Sequence, residues 1–241
     1  MKWIIVTGDS KGLGKEIVKQ ILSDSEYGVI GISRSNEQSV LELIDMYPKR
    51  FKHLSFDLEK VMDIKELYTK HIRKIGPIYG LVNNSALAYD DIISNLNVES
   101  LERMFKVNVF SSMHLTKYAI RDMLLNKIEG SIVHISSVSA HTGYKGLSMY
   151  AATKGAMEAF SKNTAREWGS KGIRSNCVVP GFMETSMSAS LSNEQKDRIY
   201  KRTSMKKETD VGSVASSVVF LLSDKSRSIT GTVIHVDNGT I

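Results

Sequence analysis

The chain has 241 residues, of which 41% are hydrophobic and 24% are charged, a composition typical of a folded globular protein. It contains 32 Lys and Arg residues against 26 Asp and Glu, so its formal net charge is +6 at pH 7. The basic residues are scattered except between Lys196 and Lys207, and no zinc-finger or aromatic-basic RNA-binding pattern accompanies them. The sequence therefore argues against a disordered, fibrous or nucleic-acid-binding protein.

Cysteine, apolar and histidine patterns exclude further classes. The single cysteine, Cys177, cannot form an internal disulfide, which favours a reducing compartment. The apolar run Val218–Leu222 is far shorter than a membrane span, and the N-terminal apolar run is too short for a signal peptide. His114, His134 and His141 lack metal-ligand spacing. We therefore expect a cytoplasmic protein with no membrane segment and no metal site.

Short apolar runs rich in β-branched residues alternate with longer stretches of helical pattern. The predicted strands are Trp3–Thr7, Gly28–Ile32, Phe51–Phe56, Ile78–Val82, Ser131–Ile135, Arg174–Val178 and Thr232–Val236. The predicted helices are Lys11–Ser23, Asp63–Ile75, Val98–Asn126, Met149–Ser170 and Asp210–Leu222. This alternation is typical of βαβ units, and strands without polar alternation indicate a sheet covered on both faces. The sequence predicts an α/β fold with a doubly wound parallel sheet of about seven strands and helices on both faces.

No linker and no internal repeat divides the chain, whose three prolines are far apart. We therefore predict one domain over residues 1–241. Residues 183–207 are the least regular span, because small polar residues there are followed by a basic, helix-like run. Long irregular insertions in compact domains often cover functional sites, so we expect this span to be a substrate lid.

A glycine-rich turn, TGDSKGLG at residues 7–14, joins the first predicted strand to the first helix. Glycines let a backbone approach a pyrophosphate closely, and a helix N-terminus offers unpaired N–H groups and a partial positive charge. The order of strand, turn and helix is the context that a dinucleotide site needs. A tight turn without a ligand is the alternative.

The second predicted strand leads into the sequence GISRS at residues 31–35, which contains no acidic residue. A carboxylate there binds the ribose 2′-hydroxyl of NAD, whereas a basic residue accommodates the 2′-phosphate of NADP. Arg34 and Lys11 would form a cationic pocket that favours NADP(H) over NAD(H). The alternative is that Arg34 is a solvated loop residue.

A second cluster is the YAATK motif that begins at Tyr150. Tyr150 and Lys154 are four residues apart and so share one face of a helix. A nearby cation stabilises a phenolate and lowers its pKa from about 10, which suits proton transfer near neutral pH. Ser137 follows the fifth predicted strand, at the sheet edge where open α/β folds bind ligands. Ser136 and Ser139 are rivals by composition alone.

Together these motifs resemble the short-chain dehydrogenase/reductase family. The glycine turn is similar to the family's T-G-x-x-x-G-x-G pattern, and Ser137, Tyr150 and Lys154 match its catalytic serine, tyrosine and lysine. Asn108 matches the asparagine that completes the catalytic set. Further matches are Asn83-Asn84, Asp57-Leu58, PGFMET at residues 180–185 and ITGTVIHVD at residues 229–237. The resemblance covers essentially the whole chain and implies a single-domain Rossmann fold.

The resemblance also implies a role for each matched residue. Tyr150 is expected to protonate the carbonyl oxygen of a ketone while NADPH delivers hydride to the carbon, and Ser137 to hydrogen-bond that oxygen. Lys154 is expected to hold the nicotinamide ribose and to lower the pKa of Tyr150, and Asn108 to position a relay water. The residues expected to bind NADP(H) are Gly8, Ser10, Lys11, Gly12, Leu13, Gly14, Arg34, Asp57, Leu58, Asn84, Tyr150, Lys154, Pro180, Gly181, Met183 and Thr185.

Within the family, the likeness is strongest to bacterial 3-oxoacyl-acyl carrier protein reductases. It implies reduction of a 3-oxoacyl thioester, with acyl carrier protein as a partner that basic Lys127 and Lys171 would attract, although Ile128 and Glu129 dilute this patch. Another ketone or keto sugar is an alternative substrate. A regulator that senses NADP(H) without turnover is an alternative of another class. Members of the family usually pair through long helices, so a homo-oligomer, dimer or tetramer, is expected.

The sequence departs from the family pattern at two places. The usual N-N-A-G reads NNSA at residues 83–86, so Ala86 replaces a glycine that lines the adenine side. The C-terminal segment has Asn238 before Gly239, where a second glycine is usual. Neither change removes a chemical group that the reaction requires.

Overall fold

A parallel seven-stranded sheet forms the centre of the computed structural model, which describes residues 1–34, 37–185, 188 and 191–240. The strands are β1 (Trp3–Thr7), β2 (Gly28–Ser33), β3 (Phe51–Ser55), β4 (Ile78–Asn83), β5 (Ser131–Ile135), β6 (Arg174–Pro180) and β7 (Val233–Val236). Their order is β3-β2-β1-β4-β5-β6-β7, and all neighbours run parallel. The predicted doubly wound Rossmann fold is therefore confirmed.

Helices connect successive strands across the two faces of this sheet. They are α1 (Gly12–Asp24), α2 (Gln38–Met46), α3 (Ile64–Leu67), α4 (Arg73–Ile75), α5 (Val98–Phe105), α6 (Ser111–Leu125), α7 (Ser139–Thr142), α8 (Ser148–Trp168), α9 (Asn193–Tyr200) and α10 (Val211–Leu222). Two π-helical turns, Tyr68–Ile72 and Lys106–Phe110, join α3 to α4 and α5 to α6. Short 3₁₀ turns lie at Val61–Asp63, Ile93–Asn95, Gly169–Lys171 and Asp224–Ser226.

Helices α2 and α9 were not among the predicted helices. Helix α2 has nine residues and buries only Val40 and Leu43, so its apolar periodicity is too short to stand out. Helix α9 buries none of its residues, and it begins with a capping box in which Ser192 and Gln195 bond to each other's backbone. Capping and tertiary position, rather than an apolar stripe, define these two helices.

Side chains alternate between two cores because successive residues of a strand point to opposite faces. In β1, Ile4 and Val6 join the core beneath α1 and α10, whereas Ile5 joins the core beneath α6. Every residue of β1, β4, β5 and β6 is buried, as expected for strands covered on both faces. Burial of each large aliphatic side chain contributes about 1.5–3 kcal/mol, so the central strands form a rigid platform.

Strand β1 lies between β2 and β4, so the chain connections leave it in opposite directions. Ligands of open α/β sheets bind in the crevice beyond the carboxyl ends of strands at this switch point. The glycine turn follows β1, and Asn84 follows β4. The fold therefore places both motifs at the same crevice.

The span 183–207, expected to be a lid, is described at residues 183–185, 188 and 191–207. Four of its residues, Ser186, Met187, Ala189 and Ser190, lie outside the described residues. Both the single-domain organisation and the role of this span as a lid stay predictions.

No helix in the described part of the chain combines the length and apolarity needed to cross a bilayer. Among those same residues, no group of three or more His, Cys, Asp or Glu side chains is arranged to hold a metal ion.

Candidate active site

The four predicted catalytic residues come together at the carboxyl edge of the sheet. Ser137 lies two residues beyond β5, and Tyr150 and Lys154 lie on one face of α8. Asn108 lies in the π turn between α5 and α6, and its side-chain amide reaches α8 by a hydrogen bond of 3.0 Å to Thr153 Oγ1. Residues far apart in the chain thus form one polar cluster next to the switch-point crevice.

The Tyr150 phenol lies next to the Ser137 side chain, close enough for the serine to affect its pKa. Burial and the nearby negative charge of Asp90 raise the pKa of Tyr150 to about 12, while the Ser137 hydroxyl opposes this rise. Burial therefore moves this pKa above its ordinary value, although the Lys154 ammonium lies 5.5 Å from the ring centre. The expectation that Lys154 lowers the pKa of Tyr150 stays a prediction.

Lys154 is a buried cation, only 4% exposed. Its Nζ donates a hydrogen bond of 2.8 Å to the carbonyl of Ile135, the last residue of β5. Burial lowers the pKa of Lys154 to about 8, with a small opposing effect from Cys177. The ammonium is thus mostly charged at pH 7 but loses its proton far more readily than a surface lysine.

The side chain of Asn108 makes three hydrogen bonds to neighbouring residues. Its Oδ1 accepts a hydrogen bond of 2.8 Å from the Leu87 N–H, and its Nδ2 donates to the Leu87 carbonyl at 2.9 Å as well as to Thr153. These contacts fasten the segment after β4 to α8. A π turn is frequent at functional sites, but the water-positioning role of Asn108 stays a prediction.

The glycine turn has the geometry of an anion cradle. Gly8 and Gly12 have φ values of 73° and 53°, which favour glycine, and a Cβ on Gly14 would overlap the Gly8 carbonyl. Helix α1 begins at Gly12 with no acidic residue in its first turn, and no described side chain caps it. Its N-terminal N–H groups and partial positive charge are thus available to an anion.

A groove of about 410 Å³ lies between the starts of α1 and α2. Its lining residues are Ser10, Lys11, Gly12, Lys15, Glu37, Gln38, Ser39 and Glu42. Ser39 Oγ donates a hydrogen bond of 2.8 Å to the Ser10 carbonyl and holds the two helix starts together. Arg34 is exposed directly beyond β2, where Ser55 Oγ donates to its carbonyl at 3.0 Å.

Three other residues predicted to bind the cofactor have structural contacts of their own. Asn84 Nδ2 donates a hydrogen bond of 2.9 Å to the carbonyl of Thr7, which fastens the glycine turn to the end of β4. Asp57 accepts a hydrogen bond of 3.0 Å from the Glu59 N–H. Leu58 is buried in the core beneath α6.

The segment after β6 passes beside the glycine turn. Pro180 ends β6, and the Gly181 N–H donates a hydrogen bond of 2.9 Å to the Val236 carbonyl. Met183 packs against the core beneath α1 and α10, and a Cβ on Gly12 would lie 3.7 Å from the Thr185 side chain. The structure therefore brings this segment and the turn after β1 together, as their shared assignment to one ligand requires.

Comparisons of this chain with known proteins identify its family. A family model described as enoyl-(acyl carrier protein) reductase matches residues 8–240. The 3-oxoacyl-(acyl-carrier-protein) reductase of Buchnera aphidicola subsp. Baizongia pistaciae is 31% identical over 239 residues, covering 99% of this chain and 96% of that protein. The chain belongs to the short-chain dehydrogenase/reductase family. The resemblance in its motifs is therefore confirmed.

Other members of the family and solved structures extend the likeness. Carbonyl reductase (NADPH) 2 of Sus scrofa is 34% identical over 237 residues, covering 98% of this chain and 94% of that protein. A solved structure, ElxO with NADP bound, has a TM-score of 0.90 and 27% identity over 99% of this chain and 98% of its own. A 4-hydroxyisoleucine dehydrogenase complexed with NADH has a TM-score of 0.92 at 24% identity, over 100% and 98% of the two chains, and shows the fold alone.

Sequence reasoning missed two pairs of a carboxylate and a histidine next to these family motifs. Asp9, in the glycine turn, lies 2.7 Å from His53 on β3, and no local pattern links residues so far apart. Glu158 lies 2.9 Å from His141 and accepts a hydrogen bond from Ser136. A signal for Glu158 was present, because it repeats the four-residue spacing of Tyr150 and Lys154 along α8.

Proposed function

We propose that this protein is an NADPH-dependent carbonyl reductase that converts a 3-oxoacyl thioester to the 3-hydroxyacyl thioester. The observation that carries the proposal is the placement of the Ser137 side chain beside the Tyr150 phenol, one helical turn from the buried ammonium of Lys154. Membership of a family of oxidoreductases supports the reaction class. The similarity to 3-oxoacyl-(acyl-carrier-protein) reductases, at 31–33% identity for the first three, supports the substrate.

The residues of the glycine turn fit the pyrophosphate of NADP(H). Glycine at residues 8, 12 and 14 keeps this turn tight: Gly8 and Gly12 have positive φ values, and Gly14 packs against the Gly8 carbonyl, next to the uncapped start of α1. Lys11 and Arg34 offer two cations near the end of β2 for the 2′-phosphate. The remaining residues proposed to hold the cofactor are Ser10, Leu13, Asp57, Leu58, Asn84, Tyr150, Lys154, Pro180, Gly181, Met183 and Thr185.

When bound, NADPH supplies the hydride for the carbonyl carbon. Tyr150 is protonated at neutral pH because its pKa is about 12, so its hydroxyl is available as the general acid for the carbonyl oxygen. Ser137, whose side chain lies beside Tyr150, would orient that oxygen by directing its single O–H to it. The two hydroxyl groups thereby stabilise the negative charge that develops on the oxygen as the carbon is reduced.

Lys154 is proposed to act on both NADPH and the general acid Tyr150. Its ammonium is within one helical turn of Tyr150 and would hold the hydroxyls of the nicotinamide ribose. The same positive charge stabilises the phenolate that Tyr150 becomes after it gives up its proton. Asn108, behind the lysine, is proposed to hold a water through which the proton is replaced.

The chain is proposed to be a single reductase domain in which residues 183–207 cover the site. Glu184 supports this assignment, because it accepts a hydrogen bond from Tyr200 Oη at 2.5 Å and lies 3.0 Å from Lys196 Nζ, both on α9. Helix α9 is thereby attached to the segment whose Thr185 lies beside Gly12. A movement of α9 would be transmitted directly to the segment that lies beside the glycine turn.

An acyl carrier protein is the proposed macromolecular partner, and a homodimer or homotetramer the proposed assembly. Lys127 and Lys171 are exposed and would attract an acidic carrier, although Glu129 lies against Gly172 and interrupts their patch. Exposed apolar side chains on the long helices, among them Val98 and Leu125, are available for pairing of subunits.

The decisive experiment measures NADPH oxidation with acetoacetyl-acyl carrier protein, acetoacetyl-CoA and a panel of unrelated ketones and keto sugars. Turnover strongest on the carrier-bound thioester is the expected result. Turnover of another ketone alone would retain the chemistry and replace the substrate, an outcome that the similarity to carbonyl reductase (NADPH) 2 favours. NADPH binding without turnover of any ketone would identify a sensor of NADP(H) instead.

A further inference from the structure

Glu158 is a buried carboxylate one helical turn beyond Lys154 on α8, and only 8% of its surface is exposed. Its Oε1 accepts a hydrogen bond from Ser136 Oγ and lies 2.9 Å from His141 Nε2. Burying a carboxylate is costly unless it is paired and hydrogen-bonded. Both of these contacts are to the short segment between β5 and α8. They offset the free-energy cost of burying the Glu158 carboxylate.

The two partners of Glu158 lie at opposite ends of the segment that carries Ser137. Ser136 immediately precedes Ser137, and His141 lies on the single-turn helix α7 that follows it. Inside the segment, the Ser139 N–H donates to Ser137 Oγ at 3.2 Å. Glu158 therefore holds both ends of a short stretch of chain that presents the Ser137 hydroxyl.

Three successive turns of α8 contact three successive residues at the end of β5. Tyr150 lies beside Ser137, Lys154 donates to the Ile135 carbonyl, and Glu158 accepts from Ser136, the residue between them. The spacing of four residues keeps these three side chains on one face of the helix, so α8 contacts the end of β5 through all three. Glu158 makes the contact farthest along α8.

Charged and titratable groups continue from this pair toward the surface. The His141 ring packs edge-on against His235 of β7, with ring centres 4.8 Å apart, and His235 Nδ1 lies 3.9 Å from Asp237 Oδ2. His141 is thus held between a carboxylate and a second imidazole. The contact between His141 and Glu158 therefore restricts the orientation of helix α7.

We propose that Glu158 is a positioning residue for the reduction: by holding Ser136 and His141, it fixes the Ser137 hydroxyl against the Tyr150 phenol. The inference rests on the proposed function, because Ser137 must orient the substrate oxygen for its position to affect the rate. Glu158 itself touches no reacting atom. Its effect passes entirely through Ser137.

The test compares Glu158→Leu and Glu158→Gln, each made in the unsubstituted protein and in a Ser137→Ala background. Glu158→Leu is expected to lower kcat roughly tenfold to 100-fold, the effect of misplacing a catalytic group by about 1 Å. It should not change the Kd of NADPH. In the Ser137→Ala background the same change should have almost no further effect on kcat, because the two residues act through one contact. Glu158→Gln retains an acceptor for Ser136 Oγ and should recover much of the rate.

Thr164→Val on the same helix is the matched control, since Thr164 is buried and its hydroxyl donates to the Phe160 carbonyl of its own helix, away from the segment that carries Ser137. Its effect on kcat should be the same in both backgrounds. An equal fractional loss for Glu158→Leu with and without Ser137, as a general loss of stability would produce, would overturn the proposal.

Hydrogen–deuterium exchange gives a readout that needs no turnover. Glu158→Leu should accelerate exchange of the amides of residues 136–142, while Thr164→Val should leave them protected. Unchanged protection of this segment in Glu158→Leu would overturn the proposal. If the unsubstituted protein reduces no ketone, the proposed function fails, and the role of Glu158 in the reaction fails with it; faster exchange would then show only that Glu158 holds the segment.

Discussion

Lys154 and Ile135 are joined by a hydrogen bond of 2.8 Å from the ammonium to the carbonyl that ends β5. This bond places a buried positive charge at the sheet edge, 5.5 Å from the centre of the Tyr150 ring. Burial lowers the pKa of the lysine to about 8 and raises that of the tyrosine to about 12, so the lysine loses its proton at a lower pH than the tyrosine does. The pH dependence of the reaction follows from this arrangement.

The kcat/KM of ketone reduction should fall as the pH rises through about 8. Lys154 loses its proton there, and with it the charge that holds the ribose and stabilises the Tyr150 phenolate. A single deprotonation predicts a decrease of about tenfold per pH unit above that point. The measurement is kcat/KM from pH 6 to 10, since this ratio reports the free enzyme. A constant ratio up to pH 10 would contradict the assigned role of Lys154.

Tyr150→Phe should lower the rate of ketone reduction by about 10²–10⁴-fold, because it removes the general acid and keeps the ring. The Kd of NADPH, measured by fluorescence, should change little. Tyr118→Phe is the control, since Tyr118 lies on α6, where it stacks on Tyr68 and contacts none of the proposed catalytic residues in the described hydrogen bonds and ring contacts. Near-normal turnover by Tyr150→Phe would rule out the proposed proton donor.

Arg34→Asp should reduce the preference for NADPH over NADH. The change removes a cation next to the proposed 2′-phosphate and introduces a carboxylate that repels it. A shift of roughly tenfold to 100-fold in the ratio of the two kcat/KM values is expected, the equivalent of one charged hydrogen bond. Arg73→Asp, an equally exposed substitution on α4, should leave the ratio unchanged. An unaltered ratio in Arg34→Asp would show that Arg34 does not contact the 2′-phosphate and is a solvated loop residue.

Gly14→Ala should abolish NADPH binding, because the added Cβ overlaps the Gly8 carbonyl and the glycine turn cannot keep its shape. Gly155→Ala is the matched substitution. A Cβ at Gly155 meets nothing within 4 Å, so this change within α8 should stabilise the protein by about 0.5–1 kcal/mol. Thermal unfolding and NADPH titration of both variants check the pair. Normal NADPH binding by Gly14→Ala would show that the turn is not the phosphate site.

The free energy of unfolding should decrease as the pH falls from about 6.5 toward 3, in part because of His134. This histidine is buried next to Asn83, and burial lowers its pKa to about 3. The unfolded chain binds a proton in this window and the folded chain does not, so acid favours unfolding by up to about 1.4 kcal/mol per pH unit. His134→Gln should flatten the dependence on pH, measured by urea denaturation. His71→Gln, at an exposed position, should not, and equal slopes in all three proteins would contradict this assignment.

Periodicity was sufficient for the strands but not for every helix. The strands differ from the predicted ranges by two residues at most, because each is a short, largely apolar run between clear turns. Helix α2 was missed because its two buried residues leave no stripe. Helix α9 lies in the run described from the sequence only as basic and helix-like, and its bounds were not predicted because it buries none of its residues. The π turn at Lys106–Phe110 lay inside a predicted helix, and nothing in its composition distinguishes it from α-helix.

The sequence by itself determined the order of the motifs, and that order was enough to predict the doubly wound sheet and the family. Glycine spacing and the interval between Tyr150 and Lys154 are local features, so they can be recognised without coordinates. Only the tertiary structure decided which ionised forms the site favours, because burial acts on a pKa through atoms from many distant segments. Likewise, only the tertiary structure showed that Glu158 bonds to Ser136, because these residues meet only when α8 packs on β5.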